Sequence, residues 1–270
     1  MTTPSPAERS LRDGDPVLAL QQLQEQVRSQ PGDARLRIFL FQLLAVHGEW
    51  ERAAAQLEVA AKLDPEALAM AQMYMAAIDC ERLRAHVFAG KTSPMILGQP
   101  EPWLALLIES LLRAGHGEAA LSTQLRADAF DQAAPVGGTL DGRPFEWIAD
   151  ADSRLGPVLE AIINGKYYWV PFAHLRSIVL DEPHDLRDVV WMPAHFLLAN
   201  GGEAVGLVPT RYPGSEHTEP ALALGRKTEW LDVAPGAWHG LGQRMLVTDA
   251  GEKPLMEIRK IVLGAPAEPG

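Results

Sequence analysis

The chain has very little cysteine. Cys80 stands alone among 270 residues, so an internal disulfide and a thiolate metal cluster are both excluded, which suits a reducing compartment. An excess of positive charge is also missing. Lys and Arg number 24 against 35 Asp and Glu, for a formal net charge of −11. With no basic stripe to neutralise phosphates, nucleic acid is not an expected partner. An anionic membrane surface would repel such a chain. No stretch approaches the roughly 18 uninterrupted apolar residues of a membrane span, and Met1–Ser10 lacks the charged-then-apolar order of a signal peptide. The expectation is a soluble cytoplasmic protein. Catalytic signatures are equally sparse: Gly-x-Ser-x-Gly, the Walker A loop and His-x-x-x-His pairs do not occur.

What the chain does have, first, is a period. Gly14 and Gly48, Ala19 and Ala53, Leu23 and Leu57, and Pro31 and Pro65 are each 34 residues apart. That period, with a small residue between helices and a closing proline, is tetratricopeptide-like. A helix pair of this length cannot bury its apolar face alone, so neighbours stack and leave a concave groove. Asp15-Pro16 supplies a cap and a preset first turn. A third unit over about 67–90 carries Arg82 where the turn glycine belongs and reads as a longer or irregular helix pair. A fourth opens at Pro102-Trp103 and turns at Gly115.

Near Asp131 the texture changes. Ala133–Gly138 reads as a linker, and beyond it lie five of the seven tryptophans. Short strand-like runs follow at 145–148, 166–171, 189–192 and 204–209, with a terminal hairpin of 243–248 and 254–261. One helix is expected at 157–164, ended by Gly165. The fold class is therefore multidomain α+β: a tetratricopeptide-like helical array at 1–131, a linker at 132–139, and a smaller strand-rich module at 140–270.

Candidate chemistry is thin. Asp150 and Asp152 could hold a divalent cation and centre a hydrolase. A calcium loop would want a third oxygen ligand at 154 and a glycine at 155, where Arg154 and Leu155 stand, and the pattern favours loop capping with a salt bridge to Arg154. The histidines form no ligand set, so neither metal nor cofactor is expected. In Tyr167-Tyr168-Trp169, alternation on a strand would bury either Tyr168 or its two neighbours.

The second half resembles a known family. Asp141-Gly142-Arg143-Pro144-Phe145 with Trp147, then Asp150, Asp152 and Arg154, is similar to the carboxyl-terminal region of the ImpE/TagJ (SciE-type) family. So are Gly165–Pro171 with Tyr168 and Trp169, Leu186-Arg187-Asp188, Val208–Ser215 with Arg211 and Tyr212, Gly225–Thr228 with Arg226, and Gly242-Gln243-Arg244. The resemblance implies a non-enzymatic accessory protein of the bacterial type VI secretion system, without cofactor. Its implied partner is the amino-terminal helix of the small contractile-sheath subunit, with the sheath-recycling ATPase as an indirect one.

The helical array suits a helix-shaped partner. In such repeats the first helix of each pair lines the groove. Unit two then offers Arg35, Ile38, Gln42, Ala45 and Val46; unit three offers Gln72 and Ala76; unit four offers Ala105 and Glu109. An amphipathic helix would lie along that floor. The strand-rich module is the other candidate docking surface, and a generic peptide-binding chaperone could use the same groove.

Overall fold

The computed structural model describes residues 4–234 and 236–264. The first three residues of the expected leaderless terminus and the last six of the expected second module lie outside the described residues. Helices α1 (Pro6–Arg12), α2 (Pro16–Ser29), α3 (Ala34–Val46), α4 (Trp50–Leu63), α5 (Leu68–Phe88), α6 (Pro102–Gly115) and α7 (Ala119–Gln132) come first. Local chemistry starts them. The Asp15 carboxylate accepts from the Leu18 N–H, and Asp33 accepts from Arg35 and Leu36, each satisfying donors that the first turn leaves open.

The repeated residues do equivalent work in two successive hairpins. Gly14 (φ 87°) and Gly48 (φ 69°) turn the chain between α1 and α2 and between α3 and α4. Ala19 and Leu23 are buried on α2 as Ala53 and Leu57 are on α4. The third unit is corrected: α5 is one unbroken helix of 21 residues, not a pair. Arg82 is a good helix former, and neither Gly nor Pro stands between Leu68 and Phe88 to stop it.

The strands are β1 (Met95–Ile96), β2 (Gly138–Leu140), β3 (Arg143–Phe145), β4 (Ile148–Asp150), β5 (Val158–Ile163), β6 (Lys166–Pro171), β7 (Leu175–Leu180), β8 (Trp191–Leu198), β9 (Glu203–Pro209), β10 (Thr228–Ala234), β11 (Ala237–Gly242), β12 (Met245–Thr248), β13 (Gly251–Pro254) and β14 (Lys260–Leu263), with a short α8 (Pro220–Ala223) before β10. Nine form one sheet in the order β1-β6-β5-β9-β8-β7-β14-β2-β3. A three-stranded sheet, β13-β12-β4, and a two-stranded ribbon, β10-β11, complete the α+β fold.

The helix expected at 157–164 is strand β5, buried at all six positions. Asn164 (φ 51°) and Gly165 (φ 69°) form its two-residue hairpin loop into β6, with Ile163 opposite Lys166. Such an Asn-Gly pair is the chemistry of a primed turn and not of a helix end. Asp141-Gly142 plays the same part between β2 and β3. The terminal hairpin is shorter than expected, β12 with β13, and 260–263 leaves it to pair with β7 and β2.

Strand β5 is apolar except for Glu160 because it packs on both faces. Val158 and Ile162 join a core that contains Phe41, Tyr74, Val87 and Leu107 of the helices. Leu159, Ala161 and Ile163 join a second core with Phe172, Ile178, Phe196 and Leu246. The first core crosses between helices and strands. Phe41, Tyr74 and Trp191 follow one another at ring distances of 5.5 and 5.6 Å, and Trp50 meets Trp191 at 5.9 Å.

Candidate partner-binding surface and the buried ion network

Three carboxylates and two guanidiniums meet where α5 crosses β5. One turn of α5 sets Glu81 and Arg84 on the same face. Glu160 points toward them from the middle of β5, Asp150 ends β4, and Arg244 follows β11. Arg84 grips Glu160 with two nitrogens at 2.7 and 3.0 Å, donates to Glu81 at 3.2 Å, and reaches the Arg211 carbonyl at 2.7 Å. Arg244 bridges Glu160 and Asp150 and donates to the Pro209 carbonyl at 2.9 Å. The Tyr167 hydroxyl donates to Glu160 and accepts from the Trp169 indole at 2.8 Å. Trp191 donates to Glu81 at 3.0 Å, and Tyr212 to Asp150 at 2.9 Å.

All of these charged groups are at least nine-tenths buried. Burial alone would push the Glu160 carboxyl up, but Arg84 and Arg244 overcome it and hold it down to about 2. At Asp150 burial prevails over Arg244, and its carboxyl is pushed up to about 6. A network this fully spent on itself ties elements together. Asp152 is spent likewise: it accepts from the Arg154 side chain and from the Gly240 N–H at 2.8 Å. Asp150 and Asp152, on which the hydrolase alternative centred, face guanidiniums, a phenol and amides. Among the described residues no group of three or more His, Cys, Asp and Glu could hold a metal ion.

Two other arginines close the ends of helices. Arg211, buried in a way that lowers its guanidinium to about 10, donates to the Val46 carbonyl at 2.8 Å, to Ala45 at 3.3 Å and to Ala223. The C-terminal carbonyls of α3 thus find a cation, as the helix dipole favours. Arg226 does the same for α1, reaching Leu11 O at 2.6 Å. Arg187 forks onto Asp185 and lies 5.0 Å from the Tyr74 ring centroid. Trp169 and Tyr212 are fully buried, Tyr168 is half-buried, and Trp147 is 38% exposed. Alternation along β6 thus buries Tyr167 and Trp169.

The expected groove is not one surface. Gln42, Ala45 and Val46 are buried, the last two completely. This is a correction: the 186–189 turn and Arg211 cover the face of α3 that a free repeat array would leave open. Arg35 is exposed and Ile38 half-buried near the start of α3; Ala105 is exposed on α6, and Glu109 there is bound to Arg113 at 2.6 Å. Gln72 and Ala76 do line an open groove of about 570 Å³ between α5 and the sheet, with Met73, Ile162, Val205 and Leu207. The network members Glu81, Arg84 and Glu160 escaped the sequence reading. Their signal was a lone carboxylate inside the apolar run 158–163 and a Glu-Arg pair on the inward face of α5.

Comparison with known proteins decides the family. Residues 142–262 match the model of the family described as ImpE protein. A Pseudomonas aeruginosa protein named type VI secretion system accessory component TagJ is 55% identical over 258 residues, covering 94% of this chain and 90% of the relative. The chain belongs to the ImpE/TagJ family. The crystal structure of a Vibrio parahaemolyticus protein is similar with a TM-score of 0.88 and 26% identity, covering 97% of this chain and 98% of that one. The ImpE match holds Asp150, Glu160, Arg211, Tyr212 and Arg244, whereas Glu81 and Arg84 lie outside it. The ion network therefore joins the family's carboxyl-terminal region to the helices before it.

Proposed function

We propose that this protein is a non-enzymatic adaptor of the type VI secretion system, which holds the amino-terminal helix of the small contractile-sheath subunit and assists sheath assembly or recycling in the cytoplasm. The observation that carries this reading is the 55% identity, over nearly the whole chain, to a protein named as an accessory component of that system. In this reading 1–131 is a tetratricopeptide-like array and 140–270 a second module joined through 132–139, with the shared aromatic core locking them.

The groove between α5 and the sheet supports a helix as partner. Ala69, Met73 and Ala76 stand four and three residues apart on one wall, and Ile162, Val205 and Leu207 form the other. Met73 is 47% and Val205 63% exposed. Two such apolar anchors beside a polar rim at Gln72 match the way amphipathic helices are held.

The test is fluorescence anisotropy with a labelled peptide of the sheath subunit's amino-terminal helix and the full chain. Met73→Glu combined with Val205→Glu should weaken binding about tenfold or more, the loss of more than about 1.4 kcal/mol of anchoring. Ile38→Glu should leave it near wild type. Equal affinity in the groove variant would move the site elsewhere, and no binding to wild type would remove the partner.

A further inference from the structure

The C-terminal ends of α5 and α6 touch backbone to backbone. A Cβ on Gly115 would lie 2.5 Å from the Ala89 carbonyl oxygen and 2.7 Å from the Gly90 Cα. Next to this contact α7, the Asp152–Arg154 loop and β11 border a half-open pocket of about 210 Å³, lined in part by Phe88, Ser122, Arg126, Arg154 and His239.

Its charges do not balance. Asp152 is fully buried and is matched by Arg154, which donates to it through the side chain and the backbone. Arg126 is only 9% exposed and makes no hydrogen bond or salt bridge among the described residues. Burial pushes its guanidinium below the ordinary value, with Asp152 opposing. The Ser122 hydroxyl, 6% exposed, is also without a hydrogen bond among the described residues. His239 is pushed down to about 4 by burial and by Arg154 and Arg126, against Asp152. It is therefore neutral at pH 7 and adds no charge. The C-terminal ends of α5 and α6 offset part of the Arg126 charge through their dipoles, yet their carbonyls accept no hydrogen bond from it.

The Arg126 guanidinium has no protein acceptor among the described residues, and its nitrogens open onto the pocket. Its planar fork of N–H donors has the geometry of a two-oxygen acceptor. The pocket exceeds several times the roughly 30 Å³ that a water occupies. We infer that this pocket binds a small oxyanion, carboxylate or phosphate, gripped by Arg126 with the Ser122 hydroxyl as a second donor. The two sources differ in chemistry: an acidic side chain of a protein would bring a carboxylate, and a free phosphate would bring a tetrahedral anion. The inference does not rest on the sheath assignment.

Thermal unfolding of the full chain tests it, in phosphate or acetate against chloride at one ionic strength. A saturable rise in Tm is expected with at least one of the two, by linkage to the folded state. Acetate alone points to a carboxylate source and phosphate alone to the free anion. In Arg126→Met the anion-dependent rise should vanish. A rise that persists in Arg126→Met reports general salting and overturns the inference, as does the absence of any rise in wild type. Should that variant fail to fold, the His239 imidazole resonances of wild type decide. Displacement by phosphate or acetate but not by chloride supports the site, and unmoved resonances overturn it.

Discussion

The guanidinium of Arg211 reaches back 165 residues along the chain to the carbonyl of Val46, 2.8 Å away. It ends α3 with a positive charge that no residue of the helix supplies. Arg211→Met keeps much of the volume and removes every donor. The carbonyls of Val46 and Ala223 would then be left without their partner, while Ala45 keeps the Gly48 N–H. Urea unfolding should register a loss of about 2–4 kcal/mol, the range for charged hydrogen bonds left unmade in an interior. A change within experimental scatter would mean that α3 does not need this cap.

Glu160 stands between two guanidiniums, and removing its charge leaves both in low dielectric. Glu160→Gln should cost about 3–5 kcal/mol, as when a buried pair loses one partner. The same denaturation measurement checks this. Glu51→Gln, which removes the carboxylate of an exposed pair with Arg82, should change stability by less than about 1 kcal/mol.

Acid should act through Glu160 and His239 with one sign. The Glu160 carboxyl sits at about 2 in the folded chain against an ordinary 4.5, so its stabilisation is whole above pH 4.5 and fades as pH falls through 2. His239 sits at about 4 against 6.5, so its part is whole above pH 6.5 and fades as pH falls through 4. Asp150, raised to about 6 from 3.8, works oppositely: its part is whole below 3.8 and lost as pH rises through 6. His239→Gln should therefore flatten the fall in Tm between pH 6.5 and 4. An unchanged slope in thermal scans would refute the assignment.

Gly115→Ala tests the closest helix approach. The added methyl would meet backbone atoms of Ala89 and Gly90, which cannot swing aside as a side chain can. A loss of about 2–4 kcal/mol is expected for overpacking against main chain. Gly117→Ala is an imperfect control, since its Cβ would meet nothing but its φ is 81°; it should cost only about 1 kcal/mol, from the left-handed backbone.

Much of the helical half was legible because its signals are local. Gly14 and Gly48 turn the chain where the period put them, and Asp15 caps the helix it precedes. The strand run 166–171 was legible too. Strand β5 was not, since six apolar-biased residues packed on both faces have no alternation to read, although Asn164-Gly165 held the clue. The placement of Gln42, Ala45 and Val46 failed for another reason. Repeat logic says which side of α3 faces a groove but not that the chain's own 186–211 segment fills it. The ion network lay beyond reach because Arg84, Glu160 and Arg244 become neighbours only through tertiary packing, 76 and 84 residues apart.

The position of Arg244, 84 residues after Glu160, bears on biosynthesis. Helix α5 leaves the ribosome long before that arginine is translated, and until then Asp150 and Glu160 lack the guanidinium that bridges them. The aromatic side chains of Phe41 and Tyr74 wait equally for Trp191. Nascent chains stalled before residue 191 should therefore expose these rings and attract holdase chaperones, while chains released after residue 244 should close in a single late step.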